Sequence, residues 1–85
     1  MAGEVDAAAV ALAGGVTWAC AVLLAGLGSM VVPGWQTAVG WLGQFYVGYA
    51  PTVTGSIVGA VWGFFDVAIG LYVFFRLYNY FHSRL

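Results

Sequence analysis

The sequence carries very little charge and contains no lysine. Charged residues make up 6% of its 85 residues, and two arginines against three acidic residues leave a net charge of −1. This composition excludes the basic surface that nucleic-acid binding requires, so no nucleic-acid partner is predicted. The chain is also 64% hydrophobic. A soluble domain of this size cannot hide that much apolar surface, and the predicted solvent is therefore a lipid bilayer.

Cysteine and histidine are equally scarce. Cys20 and His82 are the single examples of each, so the chain can form no internal disulfide and no structural zinc site of its own. Ser83 adjoins His82, but neighbouring residues on a helix point in different directions and cannot act as nucleophile and base. We therefore predict that the protein is not an enzyme and that it holds no metal and no cofactor.

Two long apolar stretches dominate the sequence. The first, Ala7 to Val32, would measure about 39 Å as a helix, which is long enough to span a bilayer with tilt. Acidic residues precede it where a signal peptide has basic ones, so we predict a retained transmembrane helix. The predicted fold is an all-α membrane protein, a hairpin of two transmembrane helices. Its predicted parts are a polar tail (1–6), helix one (7–32), an aromatic connection (33–51), helix two (52–78) and a C-terminal tail (79–85).

The connection is rich in aromatic residues and has two interpretations. Trp35, Val39, Leu42 and Tyr46 fall at helical spacing, which favours a short helix lying in the membrane interface. The second interpretation is an aromatic connecting loop. Tryptophan, tyrosine and arginine favour the boundary between lipid and water. The predicted interfacial anchors are Trp35, Trp41, Tyr46, Tyr49, Arg76, Tyr78 and Arg84.

The orientation follows from the two arginines. Arg76 and Arg84 flank the C-terminal end of the second stretch, whereas the connection has no lysine or arginine. Because basic residues concentrate on the cytoplasmic side of membrane proteins, the C-terminus is predicted to be cytoplasmic. Two spans then place the N-terminus on the same side and the connection outside.

Small residues recur at helical spacing in both stretches. In lipid, small side chains allow helix backbones to approach closely, so these positions are predicted to pack helices together. The first stretch carries a second row of small residues beside the first, at Gly15, Ala19, Gly26 and Ser29. Two small faces on one helix exceed what a single hairpin needs, which favours self-assembly or docking into a larger complex. The predicted packing positions are Gly14, Ala21, Ala25 and Gly28 in the first stretch and Gly55, Gly59, Gly63 and Gly70 in the second.

Asp66 is the only charged residue near the middle of either stretch. A carboxyl at bilayer depth is costly, so it needs a partner, a proton or a watery cavity. One interpretation is structural: the carboxyl accepts a hydrogen bond from Trp18 or Thr17, which lie near the middle of the first stretch. The other is an ion site, in which an assembly brings one carboxyl per subunit to similar depth, as in cation pores.

Several motifs together resemble a known family. They are Gly48-Tyr49-Ala50-Pro51-Thr52, Gly55-Ser56, Gly59, Trp62-Gly63-Phe64, Asp66, Gly70 and Leu77-Tyr78-Asn79, with Gly14 and Trp18 upstream. In these motifs the chain resembles small prokaryotic membrane proteins labelled "bacteriophage holin" or "membrane-associated protein". The resemblance implies a location in the plasma membrane of a prokaryote.

Two functions are therefore expected from different classes. The first is a holin-like homo-oligomer that assembles through its glycine and alanine faces and forms a small pore with Asp66 at mid-depth. The alternative is an accessory subunit of a larger membrane complex with no transport or catalysis of its own. Both have the lipid bilayer as a partner.

Overall fold

The computed structural model describes residues 5–85, and this part of the chain is all-helical. Its three helices are α1 (Ala7–Gly28), α2 (Trp35–Leu42) and α3 (Val53–Arg84). Two long apolar helices with a short helix between them confirm the predicted fold class. Residues 1–4 of the predicted polar tail (1–6) lie outside the described residues.

Helix α1 begins where Asp6 caps it. The Asp6 carboxylate accepts a hydrogen bond from the backbone N–H of Ala9 at 3.1 Å, which satisfies one of the free donors of the first turn. The helix ends at Gly28, before the Val32 that the sequence indicated. The buried Ser29 hydroxyl turns back to the Gly26 carbonyl at 2.6 Å. The chain then makes tight turns up to Gly34, whose φ of 92° requires the freedom of glycine.

The connection folds back along the hairpin. Trp35 lies against Gly28 near the end of α1, whereas the Tyr46 hydroxyl reaches Trp18, about 15 Å further back along the same helix. Between them α2 turns Val39 inward, where only 1% of it is exposed. The predicted short helix is confirmed, and it packs beside α1.

The chain then returns toward the start of α3. Gly48 makes this turn with a φ of 94°, and a Cβ there would lie 2.9 Å from Val58. Backbone bonds continue through the segment, since Tyr46 N–H donates to the Leu42 carbonyl and Tyr49 N–H to the Tyr46 carbonyl, both at 2.9 Å.

Helix α3 is capped by Thr52, whose hydroxyl accepts from Gly55 N–H at 2.9 Å. It continues to Arg84, beyond the Tyr78 that the sequence indicated. Near this end the side-chain amide of Asn79 makes two hydrogen bonds with the backbone of Val5. Its oxygen accepts from the Val5 N–H at 2.8 Å, and its nitrogen donates to the Val5 carbonyl. The start of α1 and the last turns of α3 therefore lie at the same end of the hairpin.

The two long helices meet through small residues. Gly15 faces Phe64, and Gly26 faces Ser56 so closely that a Cβ on Gly26 would overlap the serine. At the connection end, the buried hydrophobic cluster consists of Val22, Val39, Tyr46 and Tyr49.

Both long helices have the length and composition to cross a membrane. In the most apolar windows of α1 and α3, only 22% and 11% of residues are buried. The core helix of a soluble protein would be mostly buried, so this outward apolar surface fits a membrane location.

Candidate functional site

Asp66 forms the centre of the candidate site. It lies on α3, and its Oδ2 atom accepts a hydrogen bond from the Tyr46 hydroxyl at 2.8 Å. Tyr46 is only 7% exposed, whereas Asp66 lies on the exposed surface of the hairpin. A buried donor therefore holds one oxygen of a carboxylate that is otherwise open to its surroundings.

A second bond fixes the tyrosine. The Trp18 indole N–H of α1 donates to the Tyr46 hydroxyl at 3.0 Å. An indole N–H can only donate, so the hydroxyl must accept from Trp18 and give its own proton to Asp66. The three side chains come from α1, the connection and α3, and they form one directed chain of hydrogen bonds that ends on the carboxylate.

An open groove of about 570 Å³ adjoins the carboxylate. Aromatic rings from the connection and from α3 form its walls, and Asp66 is its one ionisable group apart from the tyrosine that binds it. The groove is lined by Trp41, Leu42, Phe45, Tyr46, Trp62, Phe65, Asp66 and Ile69.

Trp18 and Thr17, the two predicted partners of Asp66, do not donate to its carboxylate. Trp18 reaches the carboxylate through Tyr46 and not directly. The Thr17 hydroxyl donates instead to the Ala13 carbonyl at 2.7 Å. A threonine inside a helix finds the carbonyl four residues earlier within easy reach, so it does not need a partner on another helix.

Two of the predicted interfacial anchors, Tyr46 and Tyr49, are buried within the hairpin. The Tyr49 ring packs on Gly59 and its hydroxyl donates to the Val22 carbonyl at 2.7 Å, leaving 5% of the residue exposed. Tyr46 is 7% exposed and belongs to the same buried cluster as Val22, Val39 and Tyr49. Both tyrosines turn inward because the connection folds against the hairpin, and Gly59 leaves the space that the Tyr49 ring fills.

The remaining predicted anchors are all exposed. Trp35 and Trp41 lie on the surface of α2, although the far edge of the Trp35 ring covers Gly28. Arg76 lies over the Tyr72 ring at 5.9 Å and Arg84 over the Tyr80 ring at 5.2 Å, both as cation–π contacts. The Tyr78 ring stacks on His82 with centroids 5.9 Å apart.

The glycines of α3 predicted for packing fill different roles. Gly55 meets the Ala50 backbone, where an added Cβ would lie 2.7 Å from the amide nitrogen. Gly59 meets the Tyr49 ring and Gly63 meets Trp18. Around Gly70, by contrast, the space that a Cβ would occupy has no neighbouring atom within 4 Å. Three of the four therefore contact this chain's own connection or α1.

In α1, Gly14 lies against Leu71, and Gly28 lies against Trp35. Ala25 is half-buried, whereas Ala21 is exposed and borders the open groove between α1 and α3. The small residues of α1 are therefore divided between the contact within the chain and the outer surface.

Sequence reasoning missed the role of Tyr46 as the partner of Asp66 and the clamp made by Asn79. Asn79 carried a usable signal, because an amide in an aromatic, apolar helix segment needs hydrogen-bond partners. Tyr46 carried none, since nothing in its spacing indicated that the connection folds back toward the middle of α3.

Comparisons with protein-family models, with curated proteins and with solved structures found no match to this chain. The geometry of the site therefore has to support any functional conclusion by itself.

Proposed function

We propose that this chain is a small, holin-like integral membrane protein that assembles with copies of itself and presents Asp66 as an ion-binding carboxylate. The observation that carries the proposal is the hydrogen-bonded carboxylate on the outer surface of an otherwise apolar hairpin. In the proposed arrangement the hairpin crosses the plasma membrane of a prokaryote. Both termini are cytoplasmic, as the flanking arginines favour.

The position of Asp66 along α3 supports a site at mid-depth. Arg76 is the first basic residue after it and lies ten residues away, or about 15 Å along the helix. With Arg76 at one boundary, Asp66 lies halfway across a hydrocarbon core of about 30 Å. One hydrogen bond from Tyr46 does not replace the hydration of a carboxylate, so a neighbouring subunit or a watery path must complete its surroundings.

A free face on α1 supports assembly. Ala9, Ala13, Thr17 and Ala21 follow one another at intervals of four residues and all are exposed. Such a row of small residues lets a second helix approach closely in lipid. Trp18 adjoins this face in the groove between α1 and α3, and it also begins the hydrogen-bond chain to Asp66.

Native mass spectrometry after gentle extraction tests this proposal. The wild type should give a mass of several subunits, and Ala13→Leu should shift it toward the monomer because a large side chain blocks the approach. Ala8→Leu is the matched control, since Ala8 is also exposed but lies on the opposite side of α1. A monomeric wild type, or equal effects of the two substitutions, would contradict self-assembly.

An accessory subunit of a larger complex is the second candidate. The observation that favours it is the exposed aromatic surface near the C-terminal end of α3, where Phe74, Tyr78 and Phe81 border an apolar groove. Exposed apolar patches can be sites where other proteins bind. Extraction from the native host separates the two candidates, because a mass that includes other chains favours the accessory role.

A further inference from the structure

The groove beside Asp66 combines one carboxylate with several aromatic rings. Trp41 and Phe45 come from the connection, and Trp62 and Phe65 come from α3. The space of about 570 Å³ falls within the range of small-molecule sites in proteins. Lipid chains alone would require only apolar walls, so the charged group on the wall points to a more specific occupant.

Two of the walls are held in place by the fold. The Trp62 indole N–H donates to the Val47 carbonyl at 2.9 Å, which fixes that ring against the returning connection. The Trp41 and Phe45 rings meet edge to face with centroids 5.4 Å apart. Tyr46 fixes the carboxylate itself. These rings and the negative charge are therefore positioned before any ligand arrives, which reduces the ordering cost of binding.

The chemistry of the walls selects the class of ligand. Carboxylate oxygen and the negative faces of aromatic rings both attract a positive charge, and tryptophan does so best among the aromatic residues. A small metal ion needs several oxygen ligands, which these apolar walls do not supply. An organic cation with apolar substituents needs few hydrogen bonds and can enter from the lipid side.

We propose that the groove binds a lipophilic organic cation of the quaternary ammonium or phosphonium type, with Asp66 as its counter-ion. This inference rests on the proposed function only in that Asp66 is a cation-binding carboxylate at membrane depth. It does not depend on the number of subunits.

Binding of tetraphenylphosphonium to the detergent-solubilised protein tests the proposal. Tetraphenylborate has nearly the same shape and the opposite charge, so it serves as the matched control ligand. Equilibrium dialysis gives the affinity, and native mass spectrometry gives the bound ligands and the subunit number in one spectrum. The phosphonium should bind saturably, and the borate should bind at least about tenfold more weakly.

Substitutions then locate the site. Asp66→Asn should weaken phosphonium binding by about tenfold or more because the amide carries no charge. Trp41→Ala should weaken it by roughly threefold through the loss of a cation–π contact. Phe74→Ala is the control, since Phe74 and Trp41 are both 60% exposed and Phe74 lies outside this groove.

Equal binding of the two ions, or full affinity in the Asp66→Asn variant, would overturn the proposal and make the groove an ordinary lipid-facing surface. The subunit number is read separately. A monomer that binds the phosphonium contradicts self-assembly and retains the cation site, whereas an assembly that binds neither ion overturns the cation site alone.

Discussion

Tyr46 and Tyr49 lie three residues apart on one connection, yet the regions around them differ. The Tyr49 ring fills the space above Gly59 and its hydroxyl bonds the Val22 carbonyl, so this region is closed within the chain. The Tyr46 ring is equally buried, but its hydroxyl bonds a carboxylate on the outer surface, next to an open groove. The Tyr49 region completes its own packing, whereas the Asp66 region leaves a charged group for something else to cover.

The difference separates stability from function in this small hairpin. Glycines and a hydroxyl that reaches a backbone carbonyl fix the fold of the Tyr49 region. The Asp66 region depends on that framework for its geometry, and apart from the buried Tyr46 ring most of its side chains are exposed. Substitutions in the first region should therefore lower stability, and substitutions in the second should mainly alter binding or conductance.

The largest effect is expected at Gly59. Gly59→Leu should lower the free energy of unfolding by about 3 kcal/mol or more, because even a Cβ would overlap the Tyr49 ring. Gly70→Leu is the matched control on the same helix, since the space around Gly70 is open, and it should have little effect. Titration with sodium dodecyl sulfate, followed by tryptophan fluorescence, measures both. Equal losses would show that the Tyr49 region is not closed.

A smaller effect is expected from the two hydroxyls. Tyr49→Phe should cost about 1 kcal/mol of stability, because it removes one buried hydrogen bond and leaves the ring in place. Tyr46→Phe should cost about 0.5 kcal/mol, which is typical of a hydrogen bond between helices in a membrane. The same detergent titration compares them.

For ligand binding, Tyr46→Phe should have the larger effect and Tyr49→Phe the smaller one. Tyr46→Phe should alter phosphonium affinity because the carboxylate loses its fixed donor, and Tyr49→Phe should leave the affinity unchanged. An affinity change in Tyr49→Phe alone would break the division between the two regions.

The smallest effect on stability is expected at Asp66 itself. Asp66→Asn should change the free energy of unfolding by less than about 0.5 kcal/mol, because the Tyr46 hydroxyl can still donate to the amide oxygen. Thermal melting in detergent, followed by circular dichroism, checks this. A loss as large as that of Gly59→Leu would make the carboxyl a structural tie between the helices.

Cysteine labelling tests the predicted membrane topology. With the native Cys20 replaced by alanine, single cysteines at Thr37 and Ser83 should react with an impermeant reagent from opposite sides of the membrane. Thr37 belongs to the connection and Ser83 to the last turn of α3, and both are exposed. Labelling of both positions from the same side would contradict a hairpin whose two long helices cross the membrane.

Hydropathy was enough to predict the two long helices, and the helical spacing of Trp35, Val39 and Leu42 favoured α2 over a connecting loop. The helix ends were less predictable. Pro33 is the visible helix breaker, but α1 ends earlier, at Gly28, where the Ser29 hydroxyl bonds the Gly26 carbonyl and the Gln36 side chain donates to the Ser29 carbonyl. Local sequence shows where a helix can stop, whereas contacts with the segment that follows decide where it does stop.

The site was predictable only in part. Asp66 could be singled out because it is the one charge near the middle of an apolar stretch. Its partner could not, because Tyr46 is twenty residues away on a segment whose path depends on space left by Gly59 and on the turn at Gly48. Periodicity describes the faces of one helix and carries no information about how a connection folds against it.

The most direct test of the central claim is ion selectivity in planar bilayers. With a salt gradient across the membrane, the reconstituted wild type should give currents whose reversal potential lies toward the cation equilibrium potential. Asp66→Asn should assemble normally but lose this preference, because a neutral amide does not attract a cation. Wild-type protein that carries no current at any pH or voltage tested, or an Asp66→Asn variant with unchanged selectivity, would contradict the account.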